Sequence, residues 1–311
     1  MWKYYGLLVI AVVLFSVQFV FTKLYQKQRG NGFAVAMISN IIVCIGTIPF
    51  FLFLNGGKVE FKGFSLLLSS AFALCGILCS FAGLKVLAAA NLSVYSMFLM
   101  LGGMLIPLVY GMFVGEKLTL LKAGAILLVI AALALTLKKE KKAKRISVYV
   151  IIGYLVIFLT NGLVSVWTFV HQKSQFDTVS APGFLLLAEM VRLSVSSIML
   201  GGYAIYRYIN NKSSKTDPAA VATITVDKKT LLISWLLSIV VMLGYAMVNG
   251  TAQLLTTYTA AHLEAGVQST IVTGGCIFLS AVMGLFFREK ITQKTIFSLL
   301  LALSGAVLIM F

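Results

Sequence analysis

Gly115-Glu116-Lys117-Leu118-Thr119 returns 173 residues later along the chain as Arg288-Glu289-Lys290-Ile291-Thr292. Each copy of this phrase follows a long apolar segment, and each is followed by one more such segment. The same shift brings four further pairs into register: Ser96 with Ser269, Gly102 with Gly275, Gly111 with Gly284, and Phe113 with Phe286. A repeat this regular indicates a duplicated membrane unit, which is the usual plan of secondary transporters.

The composition excludes an ordinary water-soluble domain. Of the 311 residues, 60% are hydrophobic and 11% are charged, whereas a soluble domain carries about 25% charged residues. A helix needs about 20 apolar residues to cross a bilayer, and nearly the whole chain consists of such runs. The first run, residues 5–22, has no small-residue cleavage site and is followed by basic residues, so we expect a retained span and not a signal peptide.

The apolar runs predict an all-α integral membrane fold with ten transmembrane helices, at about 4–22, 33–54, 64–84, 91–114, 119–137, 147–170, 183–206, 231–256, 264–287 and 294–311. Residues 1–137 form the first five-helix repeat, 138–146 a basic linker, and 147–311 the second repeat, which contains a polar loop at 207–230. Because five is an odd number, the second repeat enters the membrane from the opposite side. The sequence therefore predicts inverted repeats, which place a substrate site between the halves near the bilayer midplane.

The net charge of +16 predicts an orientation in the membrane and not a nucleic-acid partner. The basic residues lie between the predicted spans, where they set topology and meet anionic lipid head groups. The loops after spans one, three, five, seven and nine carry 18 Lys and Arg residues, against six on the opposite side. The positive-inside rule then places both termini outside and the linker in the cytoplasm.

Over its whole length the chain resembles the drug/metabolite transporter superfamily, specifically its ten-helix EamA-type members. The residues that carry the resemblance are the two repeated phrases and the stretch KVLAAANLS at 85–93, which is similar to the family's entry into its fourth helix. In the first helix, Phe15-Ser16 stands where the family usually has Trp-Gly. The resemblance implies ten helices, a substrate pathway between the halves and transport of a small metabolite. It also implies cytoplasmic termini, in conflict with the charge count.

Two charged residues lie inside the seventh predicted span, Glu189 and Arg192, at i,i+3. Inserting a charged side chain at the centre of a transmembrane helix costs about 2.5–3.5 kcal/mol of free energy on insertion scales. The pair is therefore expected to have a structural or functional role. One interpretation is a self-neutralising pair that seats the helix. The other is a guanidinium offered to a substrate carboxylate or phosphate, with Glu189 holding it or binding an amine.

Three hydrogen-bonding side chains recur along the eighth span, Tyr245, Asn249 and Gln253, at i,i+4,i+8. Helical geometry places them on one stripe, and such groups do not face lipid. They either bond to neighbouring helices or line a wet cavity, and the cavity interpretation is preferred. Further candidates for substrate contact, each with helix packing as the alternative, are Gln18, Asn161 and Tyr95.

His262 and Glu264 precede the ninth span and are the candidates for proton coupling. Both side chain types titrate within reach of physiological pH when their surroundings shift them. The alternative is a solvated cap of the ninth helix.

The sequence predicts a secondary transporter in the cell membrane. An exporter or exchanger would move a small polar organic metabolite, such as an amino acid, by alternating access. We expect membrane lipid as a partner, a proton as the coupling ion, and no nucleic acid.

The four cysteines lie in apolar runs without a metal-site pattern, so no metal or cofactor is expected. No P-loop, HExxH or GxSxG motif is present, so we expect no enzyme. The alternatives are a passive facilitator or channel and, behind them, an intramembrane enzyme.

Overall fold

The computed structural model describes residues 2–89, 92–115, 119–137, 148–213, 228–286 and 293–309. Within these residues the chain forms ten α-helices. In chain order, α1 to α10 are Trp2–Arg29, Phe33–Leu54, Gly63–Ala89, Leu92–Phe113, Leu120–Leu137, Val148–Gln172, Ala181–Ser213, Lys228–Ala260, Ala265–Phe286 and Gln293–Ile309.

Eight of these helices are long and apolar enough to cross a membrane by length and composition. In α5 and α10 the apolar stretches are shorter, Ala123–Ala132 and Ile296–Leu308 among the described residues. The all-helical class is therefore confirmed, and the helices fit a multi-pass membrane protein.

Several helices run beyond their predicted ends. Helix α1 continues to Arg29, and α7 continues to Ser213. Hydropathy marks only the part of a helix within the hydrocarbon, whereas the backbone hydrogen bonds continue into the boundary region where Lys and Arg reach the head groups. The predicted polar loop at 207–230 is thus wrong at both ends, because residues 207–213 and 228–230 are helical. The rest of that loop, the linker at 138–146, residues 116–118 of the first repeated phrase and the whole second phrase at 288–292 lie outside the described residues.

Helices of the first half pack mainly against helices of the second half. Helix α1 contacts α8 and α9, α3 contacts α6 and α7, and α4 contacts α6 and α9. Helix α2 packs on α7 and α8, and α5 packs on α10. The two sequence halves are therefore interleaved in one bundle, so that a space at its centre has walls from both.

Helices α4 and α9, which correspond in the two sequence copies, run antiparallel. The hydroxyl oxygens of Ser96 and Ser280 lie 2.6 Å apart. One turn further along α4, the carbonyl of Met100 accepts a hydrogen bond of 3.0 Å from Thr273, which precedes Ser280 on α9. Later residues of α4 therefore meet earlier residues of α9, so the two helices run in opposite directions.

Helices α2 and α7 are also antiparallel. Near the middle of α2, Cys44 donates from its Sγ to Glu189 Oε2 at 3.2 Å. At the carboxyl end of α2, Asn55 Oδ1 accepts a hydrogen bond of 2.5 Å from Ser180, immediately before α7. Later residues of α2 thus meet earlier residues of α7.

Two glycines that coincide in the sequence repeat serve equivalent helix contacts. A Cβ at Gly102 on α4 would lie 2.0 Å from the backbone oxygen of Phe158 on α6. A Cβ at Gly275 on α9 would lie 2.5 Å from Cγ1 of Val12 on α1. Small residues let helix backbones approach closely inside membranes. The repeated glycine therefore allows α4 to pack on α6 in one case and α9 to pack on α1 in the other.

Candidate functional site

A central cavity lies between the two interleaved halves. Its walls come from α1 to α4 of the first half and from α6 to α9 of the second. The volume that the centres of water-sized molecules can occupy in it is about 170 Å³. One water needs about 10–15 Å³ of volume defined in this way. The space therefore accommodates on the order of ten waters, or one small solute.

Seven of the eight residues predicted to contact substrate line this one cavity, although they come from five different helices. They are Gln18, Tyr95, Asn161, Arg192, Tyr245, Asn249 and Gln253. The eighth, Glu189, lies behind Arg192 and bonds to it. The structure thus brings the predicted residues together, and their role as substrate ligands stays a prediction.

A buried ion pair holds the guanidinium at the cavity wall. Arg192 Nη1 donates to Glu189 Oε1 at 3.0 Å, and the two residues are 8% and 6% exposed. The second carboxylate oxygen accepts the hydrogen bond from Cys44 on α2. Removing one partner of a buried pair costs about 3–5 kcal/mol. The pair therefore ties α2 to α7 as well as presenting a positive charge to the cavity.

Gly76 on α3 makes the room that this guanidinium occupies. A Cβ at this position would lie 2.1 Å from Arg192 Nη2. Sequence reasoning missed Gly76 as a site residue. Its only signal is a glycine in the middle of an apolar helix, which ordinary helix packing explains equally well.

Three side chains on the cavity wall have a buried polar atom with no partner in the described part of the protein. These atoms are Gln18 Oε1, Asn40 Nδ2 and Arg192 Nε. Each of the three residues is at most 8% exposed. Buried polar groups in proteins are nearly always hydrogen-bonded, so three such atoms among the side chains of one cavity wall are unusual. Sequence reasoning missed Asn40, although a single amide in the apolar second span is the same signal that identified Gln18.

Two other predicted residues make contacts within the protein. Asn161 Nδ2 donates to the carbonyl of Leu99 at 2.8 Å, which links α6 to α4. Tyr95 packs edge-on against Phe19, with ring centroids 6.0 Å apart. Helix packing, the alternative for both, therefore accounts for part of what each side chain does.

His262 and Glu264 lie away from the cavity, in the exposed connection between α8 and α9. The His262 ring stacks on Tyr4 at 4.4 Å between centroids. The carbonyl of Glu264 accepts the first backbone hydrogen bond of α9, from Gln268 at 3.0 Å. This geometry matches a helix cap, and among the described residues the ring contacts of His262 are with Tyr4 and Tyr258, which do not line the cavity. A role of His262 and Glu264 in proton coupling stays a prediction.

The described residues contain no group of three or more His, Cys, Asp and Glu side chains that could hold a metal ion. Cys44 is engaged with Glu189, and Cys79 lies on the cavity wall. The four cysteines are not joined in disulfides.

The chain matches no family model and no curated protein. A solved structure described only as "Crystal structure of protein" superposes on it with a TM-score of 0.60 at 14% sequence identity. The match covers 98% of this chain and 96% of that one. At this identity the likeness concerns the fold alone: the same arrangement of helices, from end to end, occurs in a solved protein.

Proposed function

We propose that the protein is a secondary transporter, an exporter or exchanger of the EamA type, that moves a small polar organic metabolite across the cell membrane by alternating access. The observation that carries this proposal is the central cavity, whose polar walls come from both halves of the chain. A buried guanidinium, Arg192, lies on its wall. Charged side chains in apolar helices of membrane proteins generally mark substrate or ion pathways.

The proposed architecture is two five-helix repeats related by a twofold axis in the membrane plane. The antiparallel course of α2 with α7 and of α4 with α9 supports it. The hydrogen bond between Met100 and Thr273 joins residues 173 positions apart, which is also the offset of the repeated phrases. Residues equivalent in the two repeats contact each other only beside such an axis. In transporters of this plan, the two halves rock about a central site.

A ligand screen tests the proposed function. The purified protein is unfolded by heat with millimolar amino acids, organic acids, amines, sugars and nucleosides. A ligand bound to the folded state raises the apparent Tm, because at 100 times its Kd it contributes about 2.7 kcal/mol. The stabilising compound is then sealed at high concentration inside proteoliposomes. We expect external labelled compound to accumulate transiently above its equilibrium level by counterflow.

Two results would contradict the proposal. One is a screen in which no compound stabilises the protein. The other is label that enters only to equilibrium and shows no overshoot, which favours a channel. Empty liposomes provide the control for leakage.

Orientation is tested separately, and we expect both termini outside. Single cysteines replace Ala143 in the linker and Glu60, which is exposed between α2 and α3, in a chain lacking the native cysteines. Cys44→Ser is used in that background, so that a donor to Glu189 is retained. An impermeant maleimide on intact cells should label the cysteine at 60 and spare the one at 143. The reverse labelling would mean that the termini are cytoplasmic, as the family resemblance implies.

A further inference from the structure

Phe169 on α6 separates the central cavity from a second cavity at one end of the bundle. This outer cavity has a volume of about 390 Å³, defined as for the central one. It lies between the start of α3, the end of α4, the end of α6 and the start of α9. Among the described residues, Phe169 is the one side chain that lines both cavities. It is 3% exposed, whereas Lys173, one turn later in the outer cavity, is exposed. The boundary between the two cavities is therefore the Phe169 ring.

This ring packs against two alanines at the turn between α8 and α9. Phe169, Ala260 and Ala265 form a small buried cluster, in which Ala260 ends α8 and Ala265 begins α9. Gln268, one turn into α9, already lines the central cavity. The two cavities are thus divided at this point by one aromatic ring in contact with two methyl groups.

The end of α6 is fixed to α3 by hydrogen bonds. The hydroxyl oxygen of Ser65 on α3 lies 2.9 Å from Nε2 of the buried His171. The same oxygen accepts a hydrogen bond of 3.1 Å from the backbone N–H of Val179. One serine therefore holds together the start of α3, the end of α6 and the connection to α7.

The turn between α8 and α9 is held by hydrogen bonds of its own. Gln268 accepts a hydrogen bond of 3.0 Å from Thr259 and donates one of 2.9 Å to the carbonyl of Thr256. No hydrogen bond joins residues 168–173 to residues 256–268, all of which the structure describes. The contact of Phe169 with this turn can therefore open without breaking a hydrogen bond.

An equivalent contact is present in the first repeat. Residues 168–173, TFVHQK, align with residues 22–27, TKLYQK, so that Lys23 takes the place of Phe169. The offset of 173 residues aligns Leu87, near the end of α3, with Ala260 at the end of α8. Lys23 Nζ donates to the carbonyl of Leu87 at 2.8 Å. In each repeat, therefore, the end of the first helix touches the end of the third.

These two contacts lie at opposite ends of the bundle. Ser65, which holds the Phe169 end of α6, lies near the start of α3, and Leu87, which receives Lys23, lies near its end. The two positions are about 33 Å apart along the helix, close to the thickness of the hydrocarbon core of a bilayer. The apolar contact of Phe169 and the charged contact of Lys23 therefore flank the central cavity.

We propose that Phe169 and Lys23 are the two gates of the transport pathway, and that each opens when the end of α6 or of α1 moves away from the helix end that it touches. At the Phe169 gate the pathway runs between α6 and the α8–α9 turn into the outer cavity. This assignment rests on the proposed transport function and names the residues that regulate access to its site. Since the two contacts are equivalent in the repeats, one opens while the other stays closed.

The accessibility of a cavity-facing cysteine tests the Phe169 gate. Ser269→Cys is the reporter, because Ser269 lines the central cavity one turn from Ala265. The native cysteines are replaced, with Cys44→Ser as before. A small impermeant methanethiosulfonate is added to sealed right-side-out or inside-out membrane vesicles. Phe169→Ala should raise the labelling rate by at least about tenfold, since burying a phenylalanine side chain stabilises a contact by more than this factor. The increase should occur only from the face that labels Glu60→Cys, which precedes α3.

Two further variants complete this test. Phe169→Leu keeps an apolar side chain in the contact, so it should fold as the unmodified protein does and label faster by a smaller factor. Phe176→Ala is the matched control, because Phe176 lines the outer cavity and not the central one, so its removal should leave the rate unchanged. Size-exclusion chromatography in detergent measures the folded fraction of each variant.

Lys23→Met tests the opposite gate. Methionine is similar in length to lysine but lacks the charge and the hydrogen-bond donor. Ser80→Cys is the reporter, because Ser80 lines the central cavity on α3. Its labelling should become about tenfold faster from the face that spares Glu60→Cys, since a hydrogen bond from a charged donor contributes at least this factor.

The outcomes separate the gates from the transport proposal. The Phe169 gate is overturned by labelling rates in the folded Phe169 variants that equal the unmodified rate, by faster labelling from the wrong face, or by an equal increase in Phe176→Ala. Unchanged labelling in Lys23→Met overturns the second gate. Labelling needs no substrate, so each of these results leaves the counterflow result standing. A failed ligand screen, in turn, overturns the transport proposal whatever the labelling rates are.

Discussion

Arg192→Ala combined with Glu189→Gln is expected to abolish metabolite binding and transport while the protein remains folded. Removing only one partner of a buried ion pair leaves an uncompensated charge and costs about 3–5 kcal/mol. The double change avoids this cost because it removes both charges of the pair, whose atoms lie 3.0 Å apart. The glutamine amide oxygen still accepts from Cys44. Losing two charge-assisted hydrogen bonds to the substrate should lower its affinity by a factor of about 100 or more.

Related variants separate binding from structural support. Arg192→Lys keeps the charge but loses the planar two-pronged donor, so affinity should fall by about tenfold. Arg192→Ala alone should reduce the yield of folded protein, because Glu189 is then buried and unpaired. The measurements are counterflow in proteoliposomes and the monodisperse peak in detergent size-exclusion chromatography. Full transport by the folded double variant would assign the pair a purely structural role.

Gly102→Val is expected to prevent the folded protein from accumulating. The added Cβ would lie 2.0 Å from the backbone oxygen of Phe158, which cannot rotate away as a side chain could. Overpacking a core typically costs about 1–3 kcal/mol, and here α4 and α6 must separate along their contact. Gly102→Ala introduces the same Cβ 2.0 Å from that backbone oxygen, so it should also lower the Tm and the yield, and by less than Gly102→Val only because it lacks the two valine methyl groups.

Gly201→Ala on α7 is the matched control for this contact. Nothing lies within 4 Å of a Cβ at Gly201, so its Tm should not fall. Size-exclusion profiles and thermal unfolding in detergent measure the effect. A Gly102→Val protein with the unmodified yield and Tm would mean that α4 and α6 do not pack as described.

The sequence identified the helices because lipid imposes a simple requirement on them. Each span needs about 20 apolar residues, and a polar residue inside a span has few acceptable surroundings. The same requirement explains why the sequence alone singles out Arg192, Tyr245, Asn249 and Gln253, all of which line the cavity. It could not distinguish polar residues already bonded within the protein from those that are not. Asn161 bonds to Leu99, whereas Gln18 Oε1 has no partner among the described residues.

What the sequence determined by itself is the duplicated phrase, the all-helical class and the positions of the apolar spans. The tertiary structure alone decided which faces of those helices meet. Cys44 and Glu189 are 145 residues apart and in contact, and Gly76 leaves the space for Arg192. In a bilayer, both the lipid-facing and the protein-facing sides of a helix are apolar, as the 68% exposed Leu127 and the buried Leu101 illustrate. Hydropathy therefore carries little information about the rotation of a helix about its axis, and that rotation creates the cavity.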